Sequence, residues 1–117
     1  MNAVTLIGNL ATEVELRELA DGKKVASFLL AVDRTGTAGG ADFIRIATWN
    51  KQAEACARRL TRGEQVAVDG RLRSRSWEEP DGKRRSAVEV VANGIEFLSS
   101  RGDGSGEPAP KEAAVAG

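Results

Sequence analysis

Apolar residues along this chain come in short clusters with a two-residue period, punctuated by glycine. Val4-Thr5-Leu6-Ile7-Gly8-Asn9-Leu10 reads as a first strand. Val4, Leu6 and Leu10 share one parity, and Thr5 and Ile7 the other, so both faces carry apolar character. Gly8 predicts a bend where the strand passes from one sheet edge to another. Val14 to Leu19 alternates apolar with charged residues, and Asp21-Gly22 is a two-residue hairpin signal. Val25 to Val32 follows as a long strand whose core face is Ala26, Phe28, Leu30 and Val32. The run from Phe43 to Trp49 puts Ile44, Ile46 and Thr48 on one face and Phe43, Arg45, Ala47 and Trp49 on the other.

One segment has the helical period instead. Ala53, Cys56, Ala57 and Leu60 form an apolar stripe. Arg58, Arg59 and Arg62 fall in its last turn, where cations suit the helix dipole, and Gly63 is placed as its C-terminal cap. From Gln65 to Trp77 the two-residue period returns. Val66, Val68, Gly70 and Leu72 face inward, while Ala67, Asp69, Arg71, Arg73, Arg75 and Trp77 face outward. Glu78 to Gly82 is a hairpin loop, and Lys83-Arg84-Arg85 opens a return strand running through Ala87–Ala92 to Phe97-Leu98. Beyond Ser99 the composition shifts to Gly, Ser, Pro and Ala.

This order predicts an all-β domain over residues 1–98, a five-stranded OB-fold barrel with one helix between strands 3 and 4. Residues 99–117 are expected to be a disordered tail. The chain of 117 residues fits one domain, and its 13 glycines favour short strands and tight turns.

Two outward faces are unusual. In the Phe43–Trp49 strand two aromatics flank an arginine. In the Gln65–Trp77 strand three arginines in a row end in an indole. Flat rings beside cations suit a stacked base and its phosphate. Arginines two apart on a strand lie ~7 Å apart, close to the phosphate spacing of an extended single strand. Arg84 and Arg85 make the other side of that hairpin basic as well. The plainer reading puts Phe43 and Trp49 under a loop or at a subunit contact, and the arginines on a solvated edge.

Net charge is zero, but it is unevenly distributed. From Asp42 to Arg85 there are 11 basic and 7 acidic residues, and the acidic excess lies in the flanks. With no histidine and one cysteine, Cys56, a Cys/His zinc site and a Ser–His–Asp or Cys–His catalytic set are excluded. Cys56 sits on the buried stripe and reads as core filler. The loop from Gly36 to Gly40 lacks the Gly-Lys-Ser/Thr of a phosphate-binding loop. No enzyme activity, cofactor or metal is expected. The N-terminus does not read as a signal peptide and no apolar run approaches a membrane span, so a cytoplasmic protein is expected.

The sequence also resembles the bacterial single-stranded DNA-binding proteins. The likeness is carried by Val4–Leu10, Phe43-Ile44-Arg45-Ile46-Ala47-Thr48-Trp49-Asn50-Lys51-Gln52-Ala53-Glu54, Leu60-Thr61-Arg62-Gly63 and Val66–Trp77. It implies sequence-tolerant binding and protection of single-stranded DNA in replication, repair or recombination. Phe43, Trp49 and Trp77 take base-stacking positions; Arg45, Lys51, Arg71 and Arg73 match or neighbour phosphate-holding ones. Arg75, Arg84 and Arg85 extend the basic set. The family further implies a homotetramer, and the apolar character of both faces of the first strand makes that strand the expected contact in a dimer of dimers.

Two departures stand out. A further stacking tryptophan common in the family would fall near Gly36. The chain also ends without the family's acidic tip, which puts recruitment of repair and replication enzymes in doubt. The alternative is an OB-fold protein-interaction or RNA-binding module that uses the same aromatic and basic face.

Overall fold

A computed structural model describes residues 1–36 and 39–98. The expected tail, and residues 37 and 38 of the glycine loop, lie outside the described residues. The elements are β1 (Val4–Leu10), β2 (Glu15–Glu18), β3 (Lys24–Asp33), β4 (Ala41–Trp49), α1 (Asn50–Arg59), β5 (Gln65–Glu78) and β6 (Arg84–Phe97). The sheet runs β1-β5-β6-β4-β3-β2, and β1 also pairs with β3. Five strands therefore close into a ring, with β2 added outside as the free arm of the β2–β3 hairpin. Counted around the ring alone, the helix falls between the third and fourth strands, as the periodicity predicts.

β1 closes the ring by serving two partners. Val4 to Asn9 pair with β5, whereas Asn9 and Leu10 pair with β3. Gly8 sits at the changeover. A Cβ there would collide with the Ala31 carbonyl oxygen, so only glycine lets the two strands approach. Leu10 then ties this corner down: its N–H donates to the Glu64 carbonyl and its carbonyl accepts from Gly63 N–H. Gly70 plays a similar part across the ring, at a bulge in the β5–β6 ladder, pressed against the Val91 carbonyl.

The core gathers Leu10, Phe28, Leu30, Ile46, Cys56, Leu60, Val66, Val68, Val90 and Ala92. The two-residue period thus buries the intended faces of β3, β4 and the first half of β5. α1 lays Ala53 and Cys56 on the core. Gln52 anchors it to the barrel, donating to Thr48 Oγ1 at 2.7 Å and accepting from Ile95 N–H at 3.0 Å. Lys24 reaches the helix from β3 and pairs with Glu54 at 2.5 Å. That hydrogen bond raises the Lys24 pKa and lowers that of Glu54.

Three expectations need correction. The helix is not capped by Gly63: it ends at Arg59 with Leu60 as C-cap, and Gly63 (φ 95°) serves the following turn. Leu60 has to leave the helix there to enter the core. Arg62 accordingly lies outside the last helical turn, which holds Arg58 and Arg59.

Leu72, expected to face inward, is 47% exposed. It lies past Gly70, where β1 stops pairing with β5. From there the β5–β6 hairpin runs on as an arm with little barrel beneath it, so the inward parity of Leu72 and Val88 has no core to meet.

The third correction concerns the Asp21-Gly22 turn. It is a three-residue loop, not a two-residue one. Gly22 N–H donates to Leu19 O, Leu19 N–H donates to Lys23 O, and Gly22 is left-handed. Glu79-Pro80-Asp81-Gly82-Lys83 repeats the same pattern at the arm's tip.

Three outcomes test this packing. Gly70→Ala should destabilise the domain by about 1–3 kcal/mol in urea unfolding, because backbone cannot move aside for the methyl group. Gly94→Ala, where a Cβ meets nothing within 4 Å, should be neutral or slightly stabilising. Burial pushes the Cys56 thiol up to about 11. Folded protein at pH 8 should therefore hold little thiolate and resist a thiol reagent that labels the urea-unfolded chain rapidly.

Candidate nucleic-acid interface

Strands β4, β6 and β5 lie side by side, and their odd-numbered residues share the outer face below the bulge. In the antiparallel β5–β6 ladder Arg71 opposes Val91, Arg73 opposes Glu89, Arg75 opposes Ala87 and Trp77 opposes Arg85. In the parallel β4–β6 contact Ala47 is level with Val91, which sets Arg45 beside Glu89. Closure of the barrel thus brings together Phe43, Arg45 and Trp49 from β4 with Arg71, Arg73, Arg75 and Trp77 from β5.

At the centre is Glu89, 3% exposed. Its Oε1 accepts from Arg45 Nε at 3.1 Å and lies 3.7 Å from Arg75 Nε. Its Oε2 accepts from Arg73 Nε at 3.1 Å and from Arg73 Nη2 at 2.5 Å. One carboxylate on β6 therefore faces three guanidiniums. An isolated buried carboxylate would be costly, and these partners compensate it while leaving a local excess of two positive charges.

Two of the three guanidiniums continue onto tryptophans. Arg73 Cζ lies 5.9 Å from the Trp49 ring centroid, and Arg75 Cζ lies 4.7 Å from that of Trp77. The Arg73–Trp49 pair crosses the row between them, which explains why the outward-facing Ala47 and Val91 are nevertheless buried. Trp77 is further fixed by its Nε1–H, which donates to Glu79 Oε2 at 3.2 Å; Arg85 lies 3.6 Å from the same oxygen. Arg71 Nη1 donates to Asn93 Oδ1 at 3.3 Å.

The aromatics stand apart from the core cluster. Phe43 is 63% exposed and Trp77 37% exposed. Trp49 is half-buried, because it ends β4 and is the N-cap of α1. Asn50 behind it takes a left-handed φ of 54°, and its Oδ1 accepts from Lys24 N–H at 3.3 Å. This turn carries the chain from strand to helix at Trp49. Phe43 and Trp49 are roughly 20 Å apart along the strand.

Two of the candidate residues lie away from the cluster. Lys51 is exposed in the first turn of α1, next to the Trp49 end of the face. Arg84 opposes Glu78 and has the other parity, so it points to the opposite side of the arm from Arg75, Trp77 and Arg85. The residue that sequence reasoning missed is Glu89. Its alternation with Ala87 and Val91 gives only its parity. Counting back from the Pro80-Asp81-Gly82 turn would have paired it with Arg73. Among the described residues no group of three or more His, Cys, Asp or Glu could hold a metal ion.

The ring of five strands with a helix after the third, and with an aromatic and basic outer face, defines an OB-type binding barrel. Residues 1–98 match the single-strand binding protein family, and the chain belongs to it. It is 43% identical over 110 residues to single-stranded DNA-binding protein 2 of Listeria innocua, a match covering 91% of this chain and 69% of that protein. To single-stranded DNA-binding protein A of Bacillus subtilis it is also 43% identical, over 111 residues, covering 91% of this chain and 64% of that one. A Clostridium tetani single-stranded DNA-binding protein is 43% identical over 102 residues, covering 84% and 70%.

Proposed function

We propose that this protein binds and protects single-stranded DNA without chemistry and without strong sequence preference. Bases stack on Phe43, Trp49 and Trp77, and Arg45, Lys51, Arg71, Arg73, Arg75 and Arg85 meet phosphates. The observation that carries this reading is the single outer face on which three aromatics alternate with arginines across β4, β6 and β5. Arg84, on the other side of the arm, is left out of the contact set. Membership of the family supports a binding role, not an enzymatic one, in replication, repair or recombination. The place of action expected for such a protein is the cytoplasmic nucleoid.

Oligo(dT) should bind far more tightly than duplex DNA of equal length, since paired bases offer no free faces. Affinity should fall with salt with a slope of about −0.7 per phosphate contacted. Trp49→Ala and Trp77→Ala should each weaken binding by about 1–3 kcal/mol while the domain stays folded. Fluorescence titration at two salt concentrations measures all three. Equal affinity for duplex would remove the stacking mechanism, and equal affinity for oligo(rU) would favour the RNA-binding alternative.

A homotetramer built as a dimer of dimers accords with the surface of β1. One edge of β1 pairs with β5, whereas its other edge pairs with β3 at Asn9 and Leu10 and closes on it at Gly8. Val4 to Ile7 therefore offer a second row of backbone donors and acceptors to another chain. Light scattering should give a tetramer mass for the full chain and for a version ending at Ser100. A monomer at micromolar concentration would refute the assembly.

A further inference from the structure

We propose that Glu89 is the positioning residue of the DNA-binding face, holding the two guanidiniums that cover the tryptophans so that each indole is presented to a base on its remaining side. The proposal rests on the single-stranded DNA reading given above. Its basis is a chain of contacts through one buried carboxylate. Arg73 is gripped by Glu89 and lies over Trp49; Arg75 approaches Glu89 and lies over Trp77. Arg45 completes the grip from the neighbouring strand.

A carboxylate on a polyanion-binding face is at first sight misplaced, since it repels phosphate. Its burial resolves this. At 3% exposure Glu89 lies beneath the guanidiniums, not beside the path of the ligand. Arg45 and Arg75 approach it through Nε, and both side chains stay partly exposed, so phosphate oxygens can reach them from the solvent side. Arginines left free would lose rotamer freedom on binding; arginines already clasped lose little. The clasp also keeps each guanidinium over its ring, so that one side of the indole is occupied before a base arrives at the other. The two tryptophans sit on different elements, one at the root of α1 and one on the hairpin arm, and Glu89 is the group common to both.

The test compares wild type, Glu89→Gln and Glu89→Asp by oligo(dT) titration and stopped-flow dissociation well below each protein's melting temperature. Glu89→Gln keeps the shape and removes the charge. It should bind about tenfold more weakly, through faster dissociation, as two or three side chains must be ordered on binding. The tryptophan emission of the free protein should shift as the cations leave the indoles. The salt slope should not fall, because the arginines remain and still meet phosphates. Glu89→Asp should recover part of the affinity. A purely structural Glu89 would lower the melting temperature but leave emission, dissociation rate and affinity of the folded protein unchanged, and that result overturns the proposal. Tighter binding by Glu89→Gln would overturn it too, because Glu89 would then be a competitor of phosphate.

If Glu89→Gln does not fold, Arg75→Lys serves in its place. It lies on the arm, outside the core, keeps the charge and loses the guanidinium over Trp77. It should bind about threefold more weakly with shifted emission, and wild-type behaviour would overturn the proposal. Failure of wild type itself to bind oligo(dT) would instead strike the DNA-binding reading.

Discussion

The geometry of the binding face depends on β1 being shared between two strands. Without that closure β5 and β3 would each have an open edge, and nothing would draw β6 against β4. That parallel contact is narrow, limited to Ile46 with Val90 and Ala47 with Val91. Yet it alone sets Arg45 on β4 beside Glu89 on β6. The bend at Gly8 and the bulge at Gly70 make the closure sterically possible, and the Leu10 backbone pins it to the turn before β5. Chemistry at the outer face is thus decided by backbone contacts on the far side of the barrel.

Charge follows the same logic. A chain with zero net charge binds a polyanion only if its cations are gathered locally. Here Arg45, Arg73 and Arg75 converge on one point, and mutual repulsion would spread them apart if nothing lay between. Glu89 supplies the opposite charge from below. Because it is buried, its attraction is weakly screened by solvent, whereas the outer parts of the guanidiniums remain accessible to salt and ligand. Convergence and accessibility are achieved together because the carboxylate and the ligand approach from opposite sides.

Much of this was legible in the residues. The two-residue period set the buried faces of β3 and β4, Gly8 marked the corner, and the aromatic and basic alternation of Phe43–Trp49 and Arg71–Trp77 marked the face. What escaped was set by how elements meet. Parity says which way Leu72 points, but not that β1 has ended and left no core beneath it. The Arg-Leu-Thr-Arg-Gly sequence resembles a capped helix end, but the core's claim on Leu60 stops the helix earlier. Glu89 looked like one polar residue in an alternating strand. Its role exists only once the turn register places it opposite Arg73 and the parallel contact places it beside Arg45.

The three aromatic platforms are therefore not equivalent. Trp49 is held by the strand-to-helix turn and a guanidinium, and is half-buried. Trp77 is held by a guanidinium, an indole hydrogen bond to Glu79 and the ladder of an arm that pairs mainly with itself. Phe43 has no cation over its ring among the described contacts and is the most exposed of the three. In the proposed binding mode a base would meet a half-covered surface at Trp49 and a bare ring near the loop end of β4 at Phe43. Such a gradient would suit a ligand whose bases vary, with the more enclosed platform setting the path of the strand and the barer ones accepting whatever base follows. In the proposed binding mode, sequence tolerance would come from stacking faces common to all bases, and affinity from guanidiniums that Glu89 holds in place.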